Sequence, residues 1–170
     1  DNIQFSRFLF NLHELGGKVL LQVTNGLIPL LNSSNIISWT GSYNDTPPDF
    51  DYWIPIMSIP GILGVTIDNI PQIIGYLGAD ANLQKQWLDR MGPKHRMRVG
   101  LCWSGRRDSW INQHKGMPFD QALSLIKQNL DYEWYNLQAD ASEEEIQQLA
   151  DCGVKIYSGS ISSFADTAAL

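Results

Sequence analysis

The chain has 170 residues, 44% of them hydrophobic and 18% charged, enough apolar material to close a core and too much for a disordered tail. Eighteen acidic residues against twelve basic ones give a net charge of −6 and a pI near 4.9, which argues against non-specific duplex binding, since that rests on phosphate neutralisation. The uncharged stretch from Tyr52 to Ile67 is too short for a bilayer and is broken by Pro55, Pro60, Gly61 and Gly64, so no membrane span is expected and the chain is assigned to the cytoplasm.

In chain order, Ile3, Phe5, Phe8, Leu9, Leu12 and Leu15 carry the spacing of an amphipathic helix over about 2–15, stopped by Gly16-Gly17. Val19 to Val23 reads as a buried strand running into Asn25-Gly26, residues 26–31 as a short helix, and Ile36 to Trp39 as a second strand. Asn44 to Asp49 is loop, and Phe50 to Pro55 is extended at a sheet margin, because a proline cannot donate to a central ladder. Asp80 caps a helix that reaches Met91 and ends at Gly92-Pro93. Lys94, His95, Arg96 and Arg98 then form a basic connector, either a solvated linker or a binding patch.

From Met97 the pattern becomes regular. Val99 to Trp103 is a strand, a loop runs from Ser104 to Met117, and Pro118 opens a helix whose apolar face holds Phe119, Ala122, Leu123, Ile126 and Leu130. Glu133 to Leu137 is the next strand, Ser142-x-x-Glu145 a capping box for a helix closed by Gly153, Val154 to Tyr157 a third strand, and Ser163-x-x-Asp166 the start of a last helix. This alternation implies three parallel strands lying side by side, so the fold class is α/β with Rossmann-like parallel sheets and flanking helices.

In such sheets ligands bind beyond the carboxyl ends of the strands, which directs attention to the loops after Trp103, Leu137 and Tyr157. The first loop carries Ser104, Gly105, Arg106, Arg107, Asp108, Asn112, His114 and Lys115. Backbone amides near a glycine, several cations and a following helix N-terminus suit a diphosphate, although the chain has neither GxGxxG nor GxxxxGK[ST], and a solvated arginine-rich loop is the plain alternative. Gln138 can bond a ligand or serve the structure, Trp53, Trp103 and Trp110 can stack on a ligand or pack in a core, and Asp1 can act as a base, cap a helix or simply be solvated. Cys102 and Cys152 lack a CxxC spacing and are read as reduced and structural, and His13, His95 and His114 have no second ligand at metal spacing, so no metal site is expected.

Five segments together resemble a known family. DNIQFSRFLFNL from Asp1, FDYWIPIMSIPGILG from Phe50, RVGLCWSG from Arg98, YNLQAD from Tyr135 and FADTAAL from Phe164 follow, in order, motifs of bacterial tetratricopeptide-repeat proteins whose C-terminal region is similar to O-GlcNAc transferases and heptosyltransferases. The resemblance implies a GT-B glycosyltransferase, two Rossmann-like domains facing across a cleft with a nucleotide-sugar as donor substrate and no further cofactor. It implies an internal fragment of that fold, with residues 1–93 from the acceptor-side domain and 94–170 from the donor-side domain. It implies Asp1 as catalytic base and Ser104, Gly105, Arg106, Lys115 and Gln138 around the donor's diphosphate, although Lys115-Gly116-Met117-Pro118-Phe119 departs from the family's Arg-Ser-x-Pro-Leu. A fragment of this kind is expected to be inactive alone and to pair as a homodimer, because the cut leaves strand edges and the Phe5/Phe8 helix face without their usual cover. A non-catalytic α/β interaction module is the alternative.

Overall fold

The structure is a computed structural model that describes residues 1–105 and 115–170. The chain divides into two compact units, one made of Asp1–Trp87 with Ser163–Leu170 and the other of Leu88–Ser162. Both are α/β, with parallel strands flanked by helices.

In the first unit the expected opening helix is interrupted. Helix α1 (Asn2–Phe5) passes into a 3-10 turn at Ser6–Phe8 before α2 (Leu9–Glu14), and the Ser6 hydroxyl donates to the Ile3 carbonyl at 2.8 Å, the back-bonding by which serine disturbs a helical ladder. Strand β1 (Val19–Val23) buries Val19, Leu21 and Val23 at alternate positions, and β2 (Ile37–Ser42) pairs with it in parallel. Short helix α3 (Ile28–Leu31) connects them, with Leu31 fully buried. A Cβ at Gly41 would run into the Trp39 ring two residues away on the same strand face, so a larger residue there requires that ring to move.

Phe50 to Pro55 belongs to no strand. The chain then makes a 3-10 turn and the four-residue helix α4 (Ile59–Ile62), whose Ile59 reaches the core, and a further 3-10 turn at Ile67–Asn69. Helix α5 (Ala81–Met91) is capped as expected, the Asp80 carboxylate accepting from the Leu83 amide at 2.8 Å, and Gly92 ends it at φ +68°. The last helix, α8 (Phe164–Ala169), lies in this first unit although its sequence follows the second: Ser163 and Asp166 form the expected capping box, and Asp166 also accepts from the Trp87 indole N–H at 3.2 Å. Phe8 and Leu9 are buried by this unit's own core and Phe5 packs against it, so the helix face expected to be left bare is largely covered within the chain.

The second unit holds a three-stranded sheet in the order β3 (Arg98–Leu101), β4 (Glu133–Asn136), β5 (Lys155–Ile156), parallel throughout, as the alternating pattern requires. Helices α6 (Phe119–Lys127) and α7 (Glu143–Asp151) cover one face, where Val99, Leu101, Trp134 and Ile156 meet Ala122, Ile126 and Leu149. The Ser142/Glu145 capping box is formed in both directions, and Gly153 takes φ +76° at the end of α7. Among the described residues, no helix is long and apolar enough to cross a membrane.

Candidate functional site

The carboxyl ends of β3 and β4 come together through one side chain. Gln138, 3% exposed, turns its Oε1 toward the segment after β3, where it accepts from the Trp103 amide at 3.2 Å and the Ser104 amide at 3.0 Å, with the Cys102 thiol at 3.2 Å. Its amide nitrogen donates to Asp140, and its own backbone N–H is taken by Asn136 Oδ1 at 2.8 Å. Asn136 is itself buried at the end of β4, on the helix-covered face. Strand β3 stops at Leu101 instead of running to Trp103 because the next amides turn to Gln138 and not to the ladder.

Trp103 is buried and its ring meets that of Phe119 at 5.4 Å, so it packs in the core. The Met117 amide returns to the Trp103 carbonyl at 2.8 Å, which closes the long loop at its base and brings exposed Lys115, two residues earlier, back to the start of α6. Ser104, Gly105 and Gln138 therefore share the carboxyl-end rim, with Lys115 just beyond the loop's closing bond. The Ser104 hydroxyl donates to the Gly105 carbonyl at 3.0 Å. Arg106 and Trp110 lie outside the described residues.

Of the loop amides expected to serve an anion, that of Ser104 is already taken by Gln138, as is the neighbouring amide of Trp103. Asp1 belongs to the first unit, where it is exposed. Its side chain caps nothing, and its carbonyl accepts from the Phe5 amide at 3.0 Å. Trp53 is 78% exposed and packs in no core. Cys102 and Cys152 are free thiols, Cys102 exposed and Cys152 half-buried. No group of three or more His, Cys, Asp or Glu that could hold a metal ion occurs among the described residues.

The sheet's other face carries a polar network that reading the sequence missed. Glu133 Oε2 lies 3.4 Å from Arg98 Nε and 3.6 Å from Lys155 Nζ and accepts from the Tyr135 hydroxyl at 3.0 Å, while Oε1 accepts from the His95 amide at 3.2 Å. Burial opposes ionisation of Glu133, but the Tyr135 hydroxyl, the His95 amide and the two cations outweigh it and hold its carboxyl down at about 2. Lys155 is pushed up, first by its hydrogen bond to Tyr135 and then, against its own burial, by the nearby negative groups. Arg98 also donates to the carbonyls of Met91 and Gly92, and the Tyr157 hydroxyl to that of Arg90, so the end of α5 lies over this face. The alternation within each strand was visible in the sequence, with Arg98, Glu133, Tyr135, Lys155 and Tyr157 on one side and a mostly apolar set on the other, but which of them meet depends on register.

An open depression of about 400 Å³ adjoins this network, lined by Arg96, Tyr132, Glu133, Trp134, Cys152 and Lys155 among others. It lies at the amino ends of the strands, opposite the Gln138 rim, and ligands of open parallel sheets bind at carboxyl ends, so the rim is the candidate site. Compared with models of known protein families, with curated proteins and with solved structures, the chain matches none.

Proposed function

We propose that this chain is part of a metal-independent glycosyltransferase of the GT-B kind, moving a sugar from a nucleotide-sugar to an acceptor hydroxyl or amide-like group. Five segments that resemble the motifs of bacterial tetratricopeptide-repeat-associated transferases, in their order, support the reading. The single structural observation that carries it is the clustering of Ser104, Gly105 and Gln138 at the carboxyl ends of parallel strands, where such sheets hold their ligands, with Lys115 brought back toward them by the Met117–Trp103 bond. Gln138 then shapes the rim while the Lys115 ammonium stabilises the departing diphosphate, and a carboxylate, Asp1 in this reading, takes the acceptor's proton. The chain by itself transfers no sugar, works in the cytoplasm as part of its parent, and pairs as a homodimer.

A non-catalytic interaction module is the second reading, favoured by the Trp103 and Ser104 amides being already satisfied by Gln138. Calorimetric titration of the full-length parent with uridine and guanosine diphosphates separates the two. Loss of a charge-assisted contact in Lys115→Ala weakens binding about ten- to hundredfold under the transferase reading. Absence of any binding overturns that reading in favour of the module.

A further inference from the structure

Charge is segregated along this chain. Residues 19–84 contain five aspartates, Asp45, Asp49, Asp51, Asp68 and Asp80, and no Lys, Arg or His; residues 85–98 contain five Lys and Arg against one acid, Asp89. Within the cation-free stretch, large apolar side chains stand in solvent: Tyr52 is 93% exposed, Ile67 89% and Ile74 96%, with Phe50, Trp53 and Ile62 also exposed. Isolated exposed apolar residues need no explanation, but this density within 25 residues, Phe50 to Ile74, does. Asp49, Asp51 and Asp68, all exposed, flank Phe50, Tyr52 and Ile67 directly.

The complement lies in the same polypeptide. Lys94, His95 and Arg96 are exposed, and Met97 beside them is 61% exposed. Arg98 is committed to Glu133, but among the described residues the Arg96 guanidinium donates to the Leu130 carbonyl and to no carboxylate, and Lys94 makes no ion pair. We infer that the acidic, aromatic surface of residues 49–74 is an interface for a second copy of this chain, which presents its basic Lys94–Met97 segment to it. Two like surfaces meeting face to face would set aspartates against aspartates, so the contact is between unlike patches.

The area is adequate. Phe50, Tyr52 and Trp53 at their observed exposures offer roughly 400–500 Å², about half of the ~800 Å² per partner in an ordinary specific interface, and Met57, Ile62, Ile67 and Ile74 extend it. This interface specifies the self-association proposed above and does not depend on the transferase reading.

Sedimentation velocity on the 170-residue chain tests it, up to about 200 µM and at low and high salt. A dimer is expected whose dissociation constant rises about five- to tenfold between roughly 50 and 500 mM NaCl, as ion pairs are screened. Two surface variants, Asp49→Lys/Asp51→Lys and Lys94→Glu/Arg96→Glu, are each expected to be monomeric, and their equimolar mixture to dimerise again. Far-UV circular dichroism verifies that both are folded. A wild-type monomer throughout overturns both the homodimer and this interface; a dimer indifferent to both variants, or not restored by mixing them, leaves the homodimer and overturns the interface.

Discussion

Residues 50–80 and residues 97–157 are both rich in large apolar side chains, yet the second stretch closes a core and the first leaves much of its apolar surface in water. In 97–157 each strand or helix sorts its residues by period, so Val99, Trp134, Ile126 and Leu149 reach the same interior. In 50–80, Pro55, Pro60, Pro71 and the glycines at 61, 64, 75 and 78 allow no helix longer than α4 and no strand, so no period persists long enough to gather a face. Ile54, Ile56, Leu63 and Val65 reach the first unit's core one at a time, and their neighbours do not. Apolar content supplies the material of a core; regular secondary structure decides which of it is used.

The largest expected effect breaks that comparison directly. Leu149, 1% exposed, truncated to alanine is expected to cost about 2–5 kcal/mol, whereas Ile74→Ala, at 96% exposed, changes the stability of the monomeric chain, measured at a concentration dilute enough to dissociate any dimer, by less than about 0.5 kcal/mol. Urea unfolding followed by hydrogen exchange of peptides from each unit measures both, and a cost above 1 kcal/mol for Ile74→Ala by the same ordinary standard for surface changes would place that side chain in a packed site. Next comes the rim. Gln138→Ala leaves the Trp103 and Ser104 amides without their acceptor, an expected loss of about 1–3 kcal/mol with faster exchange at those two positions.

Smaller still is the cap of α7, where Ser142→Ala removes the acceptor of the Glu145 amide and is expected to cost about 1 kcal/mol, seen as fraying over Glu143–Glu145. The last effect is full at neutral pH and disappears in acid. Glu133 sits at about 2 in the folded chain against an ordinary value of 4.5, so its stabilising contribution is complete above about pH 4.5 and is lost as pH falls toward 2. Acid titration of the wild type against Glu133→Gln is therefore expected to show their stability difference shrinking through that window. A constant difference down to pH 2 would mean that the contacts of Glu133 do not depend on its charge.

What was legible in advance was local. Asp80, Ser142 with Glu145, Ser163 with Asp166, Gly92 and Gly153 each mark a helix end through bonds or backbone angles spanning a few residues, and all stand where their residue types require. The parallel order of β3, β4 and β5 followed from alternation and handedness. What was hidden depends on residues far apart in sequence. Gln138 reaches back 34 and 35 residues to shorten β3, and no pattern within either segment announces that bond. The Glu133 network likewise arises only once register places Arg98 and Lys155 on either side of it. The break at Ser6–Phe8 was local but subtle, a serine bonding backward inside an otherwise good helical repeat.

The hydrogen bond from Trp87 to Asp166 joins residues 79 apart in sequence and makes the first unit discontinuous. On a ribosome this inverts the usual schedule, in which the N-terminal domain is finished first. Every residue of Leu88–Ser162 has been polymerised before the first unit receives α8, so the stretch encoded later can pack while the earlier one still lacks a helix. Until Ser163–Leu170 emerges, the nascent first unit waits with α3 uncovered by α8 and the Trp87 indole without the Asp166 carboxylate.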